Sequence, residues 1–330
     1  MNSQVDPELS VVVPVYNEER SIRPFLERLV PVLDNLRVPC EIIFCLDPSS
    51  DHTEHVIAAA IQRDQRIRLI VFSRRFGQPA ATMAGIVTAR GGACVVIDVD
   101  LQDPPELIPE LYAKLREGYE VVYARRRSRQ GETAVKRFVS HVAYRVINKL
   151  SDLEIPKDTG DFRIMTRRVV DELRRLNETH GFLRGLVAYV GFRQAYVDYD
   201  RDSRSEGKGK YNRLLGSLTI GINGIVCFSS KPLQLMWMAG GCVVGVTVVL
   251  GAWHAGQLIL GMSPTSGLSA SLLAVMFFAG VQLLCLGLLG EYIGRIYDEV
   301  KRRPMFIVDR HINVGEQTLV ARAAQPRTGV

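Results

Sequence analysis

From Leu9 to Ala124 the chain alternates short β-branched apolar runs with longer amphipathic stretches. Leu9 to Tyr16 (LSVVVPVY) reads as a buried strand ended by Asn17-Glu18-Glu19, which opens a helix through Leu36. Glu41 to Leu46, Ile67 to Phe72, Ala93 to Ile97 and Glu120 to Ala124 read as further strands. The stretches between them predict a helix from beyond Asp51 through Gln65, one over Ala80 to Ala89 and one over Pro105 to Glu117. Strands alternating with helices predict an α/β fold with a mostly parallel sheet covered on both faces. In such sheets ligands bind beyond the carboxyl ends of the strands. Polar residues gather at four of those ends: Asn17 with Glu18, Asp47, Ser73 with Arg74, and Asp98 with Asp100. GxGxxG and Walker A patterns are absent, which excludes an ordinary dinucleotide or P-loop site.

The pattern changes further along. Lys136 to Leu150 predicts an amphipathic helix, with Phe138, Val142, Val146 and Leu150 on one side and a basic opposite side. It suits either a membrane surface or a place on the sheet. Tyr211 to Phe228 is a second, more apolar candidate of the same kind. Leu233 to Leu260 has no acidic or basic residue except the His254 imidazole, and Leu268 to Ile293 carries one charge, Glu291, near its end. Each is long enough to cross about 30 Å of hydrocarbon. The link 261–267 has no Lys or Arg, whereas Arg213 and Lys231 precede the first run and Arg295, Lys301, Arg302 and Arg303 follow the second. The positive-inside rule puts both ends of this hairpin in the cytoplasm. The expected organisation is a cytoplasmic α/β domain over 1–210, a juxtamembrane amphipathic segment over 211–232, two transmembrane helices within 233–293 and a cytoplasmic tail over 294–330.

Composition adds limits. Of the 330 residues, 47% are hydrophobic and 23% charged, enough for an ordinary globular core. The net charge of +6 suits phosphates or an anionic membrane and is too small to argue for nucleic acid. The six cysteines form no CxxC pair and join no His cluster, so reduced core thiols are expected rather than a zinc site or disulfides. Met1 to Glu8 lacks the basic start and apolar run of a signal peptide.

The acidic pair Asp98-Val99-Asp100 follows an apolar strand and precedes Gln102-Asp103-Pro104-Pro105-Glu106. Two carboxylates at a strand end can hold Mg²⁺ or Mn²⁺ against a nucleotide diphosphate, since these ions favour hard oxygen ligands and retain waters and phosphates. Such an ion neutralises charge on a leaving diphosphate.

With these residues in hand, VVVPVYNEE at 11–19, LDPSSDHT at 46–53, SRRFGQPAA at 73–81, DVDLQDPPE at 98–106, TGDFRIM at 159–165 and RDSRSEGKGKY at 201–211 resemble family 2 glycosyltransferases of the polyprenyl-phosphate type. That group includes bactoprenol glucosyltransferases and dolichol-phosphate mannose synthases. The likeness runs from residue 9 to about residue 305 and includes FSSKPL at 228–233. It implies a GT-A fold, a nucleotide-sugar donor, a polyprenyl phosphate acceptor, membrane lipid as a further partner and inverting transfer at the inner membrane. A homo-oligomer is left open.

By position, the resemblance puts Pro14, Tyr16 and Glu18 in the nucleotide pocket, Asp47 against the base, Arg74 among the donor residues, Asp98 facing the nucleotide and Asp100 on the metal. Asp161 falls where some members are thought to have a catalytic base. The acceptor phosphate has a second pKa near ~6 and needs little help losing a proton, so orienting the acceptor and joining the metal shell are the other roles open to Asp161. Arg126, Arg129, Arg201, Arg204 and Lys210 match basic positions that would clamp phosphates. Leu46, Pro48, His52, Arg75, Lys208 and Gly209 depart from the common pattern, which bears on nucleotide identity more than on reaction type. Turn capping is the competing role for Asp47 and Asp51. The QxxRW signature of processive synthases is absent. Glucose from UDP-glucose follows from the bactoprenol-like pattern; mannose, galacturonate, aminoarabinose and N-acetylhexosamine stay open, as does a non-catalytic membrane scaffold that binds sugar nucleotides.

Overall fold

Leu9–Val15 (β1) is buried along its whole length, as expected of a strand covered on both faces. The computed structural model describes residues 6–127, 159–176, 183–200, 229, 231–260 and 268–313. The segments predicted over Lys136 to Leu150 and Tyr211 to Phe228, and the link 261–267, lie outside them. β2 (Cys40–Leu46) and β4 (Ala93–Val96) flank β1 in parallel, and β3 (Ile67–Phe72) continues beyond β2, also parallel. β5 (Val121–Arg126), β6 (Thr159–Thr166), β7 (Gln194–Tyr199) and β8 (Val308–Ile312) complete a sheet ordered β7-β5-β6-β4-β1-β2-β3-β8. β6 runs antiparallel to both β4 and β5, β8 runs antiparallel to β3, and the remaining pairings are parallel. The fold is thus the GT-A-like α/β arrangement with a mostly parallel sheet.

Strand alternation assigns the two faces. Leu9, Val11, Val13 and Val15 share one core with α1 (Glu19–Leu36), α2 (Thr53–Ile61) and α4 (Ile108–Arg116), through Ile22, Phe25, Leu29, Ile57 and Leu111. A 3-10 turn over Pro105–Leu107 leads into α4. Val12 and Cys45 face the other way, against α3 (Gln78–Thr88). A Cβ on Gly85 would lie 2.2 Å from a Val12 methyl and 2.9 Å from Cys45 Sγ, so α3 reaches the sheet because position 85 has no side chain. α5 (Arg167–Arg175) packs on α3 and on α6 (Leu183–Val190). Cys40, Cys45, Cys94, Cys242 and Cys285 are free thiols, and burial pushes Cys94 up to about 12.

The chain divides into two compact units. The first comprises Met1–Arg137, Glu154–Asn212 and Pro304–Val330; the second comprises Phe138–Leu153 and Arg213–Arg303. In the second, α7 (Lys231–Ile259) and α8 (Leu268–Val300) contain apolar stretches, Lys231–Leu250 and Phe277–Val300, of 20 and 24 residues. Both are long and apolar enough to cross a membrane. Their large apolar side chains are bare, Trp237 at 83% exposure and Ile259 at 86%, which in water would be a standing penalty. Tyr292 Oη donates to the Ser229 carbonyl at 2.8 Å, and Glu291 pairs with Arg295 one helical turn on. Two boundaries differ from the sequence expectation. The second apolar helix continues to Val300, and Val308–Ile312 within the expected tail is a strand of the first unit.

Candidate active site

The loops after β1 and β2 are stitched together by side chains. Asn17, at φ +53, donates its N–H to Ser49 Oγ at 3.0 Å, and its Oδ1 accepts from the Ser50 N–H at 2.8 Å. Asn tolerates that left-handed conformation better than most residues. Asp51 accepts from the Glu19 N–H, the Thr53 N–H and the Thr53 hydroxyl. Burial raises its carboxyl pKa, but the Thr53 and backbone bonds prevail and hold it below the ordinary value. Asp51 is therefore a turn cap. Glu18 donates its N–H to Thr53 Oγ1 and accepts from the Ser21 hydroxyl, and Pro14 sits buried in β1 opposite Cys45.

Asp47, 2% exposed, has a more specific task. Its Oδ1 accepts from the Phe76 N–H at 2.9 Å and its Oδ2 from the Gly77 N–H at 2.8 Å. It thereby fixes the loop Ser73 to Gly77, which turns at Gly77 (φ +90) into α3. On that loop the Arg74 guanidinium lies 4.0 Å over Phe76, and Arg75 lies 4.0 Å over the Tyr16 ring. Gln78, the first residue of α3, donates to Asp98 Oδ1 at 2.8 Å, tying the loop to the acidic pair. Asp100 Oδ1 accepts from the Gln102 N–H at 3.2 Å around Leu101, which is at φ +59.

β4 and β6 are antiparallel with Val96 opposite Arg163. The residues after Val96 and those before Arg163 therefore leave the pair at the same end of the sheet, bringing Asp98 and Asp161 to one edge. Asp161 Oδ1 accepts from Arg163 Nη2 and Arg184 Nε, each at 3.0 Å. Arg163 is fully buried, its guanidinium 5.5 Å from the Tyr123 ring centre. Burial alone would raise the Asp161 pKa; Arg184 first, then Arg163 and Arg126, more than reverse this, and the carboxyl sits below its ordinary value. Arg126 is itself held. Its Nε donates to Tyr199 Oη at 3.3 Å, the Tyr199 hydroxyl donates to buried Asp103, and Gly160 leaves room for the guanidinium, since a Cβ there would lie 3.0 Å from Nη2. Burial, helped by Asp103, pushes the Tyr199 hydroxyl up to about 12.

The structure thus gathers Tyr16, Glu18, Asp47, Arg74, Asp98, Asp100, Arg126 and Asp161 at the carboxyl end of the sheet. Arg129, Arg201, Arg204 and Lys210 lie outside the described residues. Gln78, Arg163, Arg184 and Tyr199 were not singled out from sequence. Among the described residues no group of three or more His, Cys, Asp or Glu gathers as a metal site. The two carboxylates Asp98 and Asp100 still fit a Mg²⁺ or Mn²⁺ ion that takes its other ligands from phosphate and water, because they are hard oxygen donors two residues apart at a strand end. A cavity lined by Glu41, Arg66, Arg68 and Arg90 lies at the opposite end of the strands, where Arg68 neutralises Glu41 at 2.7 Å, and it contains none of these residues.

Comparison with known proteins follows from this geometry. Residues 10–174 match the description Glycosyl transferase family 2. An uncharacterized glycosyltransferase of Bacillus subtilis (strain 168) is 44% identical over 312 residues, 94% of this chain and 96% of that protein. The bactoprenol glucosyl transferase of Shigella phage SfII is 37% identical over 303 residues, 92% of this chain and 98% of that protein. Among solved structures, a mannosyltransferase from Pyrobaculum calidifontis in complex with GDP-Man and Mn²⁺ is similar with a TM-score of 0.45 and 16% identity, covering 90% of this chain and 89% of the other.

Proposed function

The chain belongs to glycosyl transferase family 2, and from that premise we propose that it moves a sugar, glucose from UDP-glucose in our reading, onto a polyprenyl phosphate with inversion at the anomeric carbon. The relatives named bactoprenol glucosyl transferase support the acceptor class. The observation that carries the reading is the meeting, at one edge of the sheet, of the Asp98–Asp100 turn with Asp161 held between two arginines. In the proposed reaction an acceptor phosphate oxygen bonds to the anomeric carbon as the bond to the nucleoside diphosphate breaks, and the electron pair leaves with the diphosphate. Asp98 and Asp100 would hold Mg²⁺ or Mn²⁺, which supplies charge neutralisation to that leaving group.

The protein's own groups do the rest. The β1, β2 and β3 loops, with Pro14, Tyr16, Glu18, Asp47 and Arg74, form the donor side. Asp161 keeps Arg184 and Arg163 in place, and these with Arg126 favour a phosphate at the acceptor side. A carboxyl held below its ordinary pKa stays ionised and is a weak base, which supports a positioning role for Asp161 over proton abstraction. Arg129, Arg201, Arg204 and Lys210 are proposed to clamp the substrate phosphates. α7 and α8 anchor the enzyme in the inner membrane with its catalytic domain in the cytoplasm.

The test is a panel of radiolabelled UDP- and GDP-sugars, each offered to the purified full chain with undecaprenyl phosphate and Mn²⁺ or Mg²⁺. Solvent-extractable label that requires undecaprenyl phosphate is the expected product, strongest with UDP-glucose. Absence of lipid-linked label with every donor would overturn the acceptor, and a preference for another donor would replace glucose.

A further inference from the structure

The segment that follows the second apolar helix is built into the donor side of the site. After α8 the chain returns to the first unit, and β8 pairs with β3 from Leu69 opposite Ile312 to Phe72 opposite Val308. The ladder continues one step past the strand, because the Ser73 N–H donates to the Ile307 carbonyl at 3.0 Å. Register shifts between Val71 and Phe72, at the point where the Ser73 to Gly77 loop departs. Phe306 packs on Phe72 with ring centres 5.8 Å apart, and Phe72 meets Phe76 edge-on at 6.1 Å. Phe76 and Gly77 are the residues whose amides Asp47 holds, and Arg74 stacks on the Phe76 ring. An unbroken line of contacts therefore runs from Phe306 through Phe72 and Phe76 to the loop that carries Arg74, Arg75 and Gln78.

At its far end the strand is pinned separately. Arg310 pairs with Glu54, and the Asn313 side chain donates to the Gln65 and Ile67 carbonyls at 2.8 Å each. Phe72 is 1% exposed. Without Phe306 one face of its ring would open to water, and the loop would lose the aromatic backing that sets where Phe76 stands.

We propose that Phe306 is a positioning residue for the nucleotide, acting through the Phe72–Phe76 pair on the Ser73 to Gly77 loop, so that the strand beyond the membrane hairpin tunes donor affinity. The inference rests on the donor site proposed above. It assigns to Phe306 an effect on the nucleotide diphosphate and none on the acceptor phosphate, since its contacts lead to the β3 loop and not to Asp161, Arg163 or Arg184.

The experiment uses the full chain in lipid nanodiscs and measures the Kd of UDP, with GDP as a second probe, by calorimetry in Mg²⁺. KM values for donor and acceptor follow under turnover. Phe306→Ala is expected to raise the UDP Kd and the donor KM by about two- to tenfold, the worth of one aromatic pair, and to leave the acceptor KM unchanged. Phe306→Tyr should restore most of the loss. Arg310→Ala, which loosens the other end of the strand, should bind UDP as the unmodified protein does. If Phe306→Ala does not fold, Phe306→Leu replaces it, with a rise of about twofold or more expected. A folded variant with an unchanged UDP Kd, or with equal losses in both KM values, overturns the inference while leaving the function intact. An unmodified chain that binds neither UDP nor GDP overturns both.

Discussion

Asp161→Asn separates two roles for the residue at the centre of the acceptor side. In the structure Asp161 Oδ1 accepts from Arg163 and Arg184 at 3.0 Å each. Asparagine keeps an oxygen there but removes the charge facing a fully buried guanidinium. Exchanging a charged for a neutral acceptor costs about 1 kcal/mol per bond, and the side chain's 30% exposure screens part of that. A stability loss of roughly 1–2 kcal/mol is expected. Turnover should fall by about 10²-fold, because a neutral oxygen holds Arg184 less firmly where the acceptor phosphate must sit. The pH dependence decides the mechanism. Arg184 and Arg163 hold the Asp161 carboxyl below its ordinary value, so taking a proton from a phosphate of pKa near ~6 would run uphill by about two orders of magnitude or more. The single-turnover deficit should therefore stay constant from about pH 5 to about pH 8. A deficit that shrinks as pH rises through ~6 would refute the positioning role and restore the base. Stability gives an independent check. A carboxyl whose pKa is depressed by folding stabilises the protein above its unfolded pKa of about 3.9, and that contribution is lost as pH falls through its folded pKa. The Tm difference between the unmodified protein and Asp161→Asn should accordingly be full near neutrality and narrow below about pH 4.

Asp100→Asn should lower turnover by ~10²-fold or more, and a chelator should abolish activity that Mg²⁺ or Mn²⁺ restores; full activity in chelator would remove the ion from the reaction. Tyr199→Phe keeps the ring against Phe162 but strips buried Asp103 of a donor, so it should cost about 1–3 kcal/mol in thermal unfolding and weaken acceptor KM through Arg126; an unchanged Tm would mean that water replaces the hydroxyl. Reporters fused at Met1 and after Val330 should both read cytoplasmic while a tag within Ser263 to Gly267 is reachable from outside, and any other pattern would reject the two-span hairpin.

The parts of the fold legible in sequence are those whose signal is local. β3 spans Ile67–Phe72 and α1 ends at Leu36, as the apolar runs predict. α2 stops at Ile61, short of Gln65, because Asp64 turns back to accept from the Arg66 N–H and side chain and so competes with the helix. β6 was visible only as a motif. It places Asp161 and Arg163 inside a strand, and Arg163 is tolerable there through Asp161, the Gly160 carbonyl and the Tyr123 ring, an arrangement that no sequence window displays. Asp98 and Asp100 were legible because acidic residues after an apolar strand stand out. Arg184 and Gln78 open helices that look ordinary until the fold brings them against Asp161 and Asp98. Asp47 places both oxygens on the Phe76 and Gly77 amides, 29 and 30 residues on, a contact that no sequence window displays.

β8 bears on membrane topology by a route that does not use charge. A strand that shares hydrogen bonds with β3 must lie on the same side of a bilayer as β3. The chain leaves the first unit after β7, passes through α7 and α8, and returns to it before β8. The number of crossings between β7 and β8 is therefore even. A single crossing in that stretch would strand Val308–Ile312 opposite its partner. One crossing by each apolar helix meets that count, and the bare apolar side chains of both, from Trp237 to Val300, suit it. In chain order the two apolar helices are thus an insertion within the first unit. Cutting the chain after α8 would thus leave both apolar helices in place but turn β3 into an open edge beside the Ser73 to Gly77 loop.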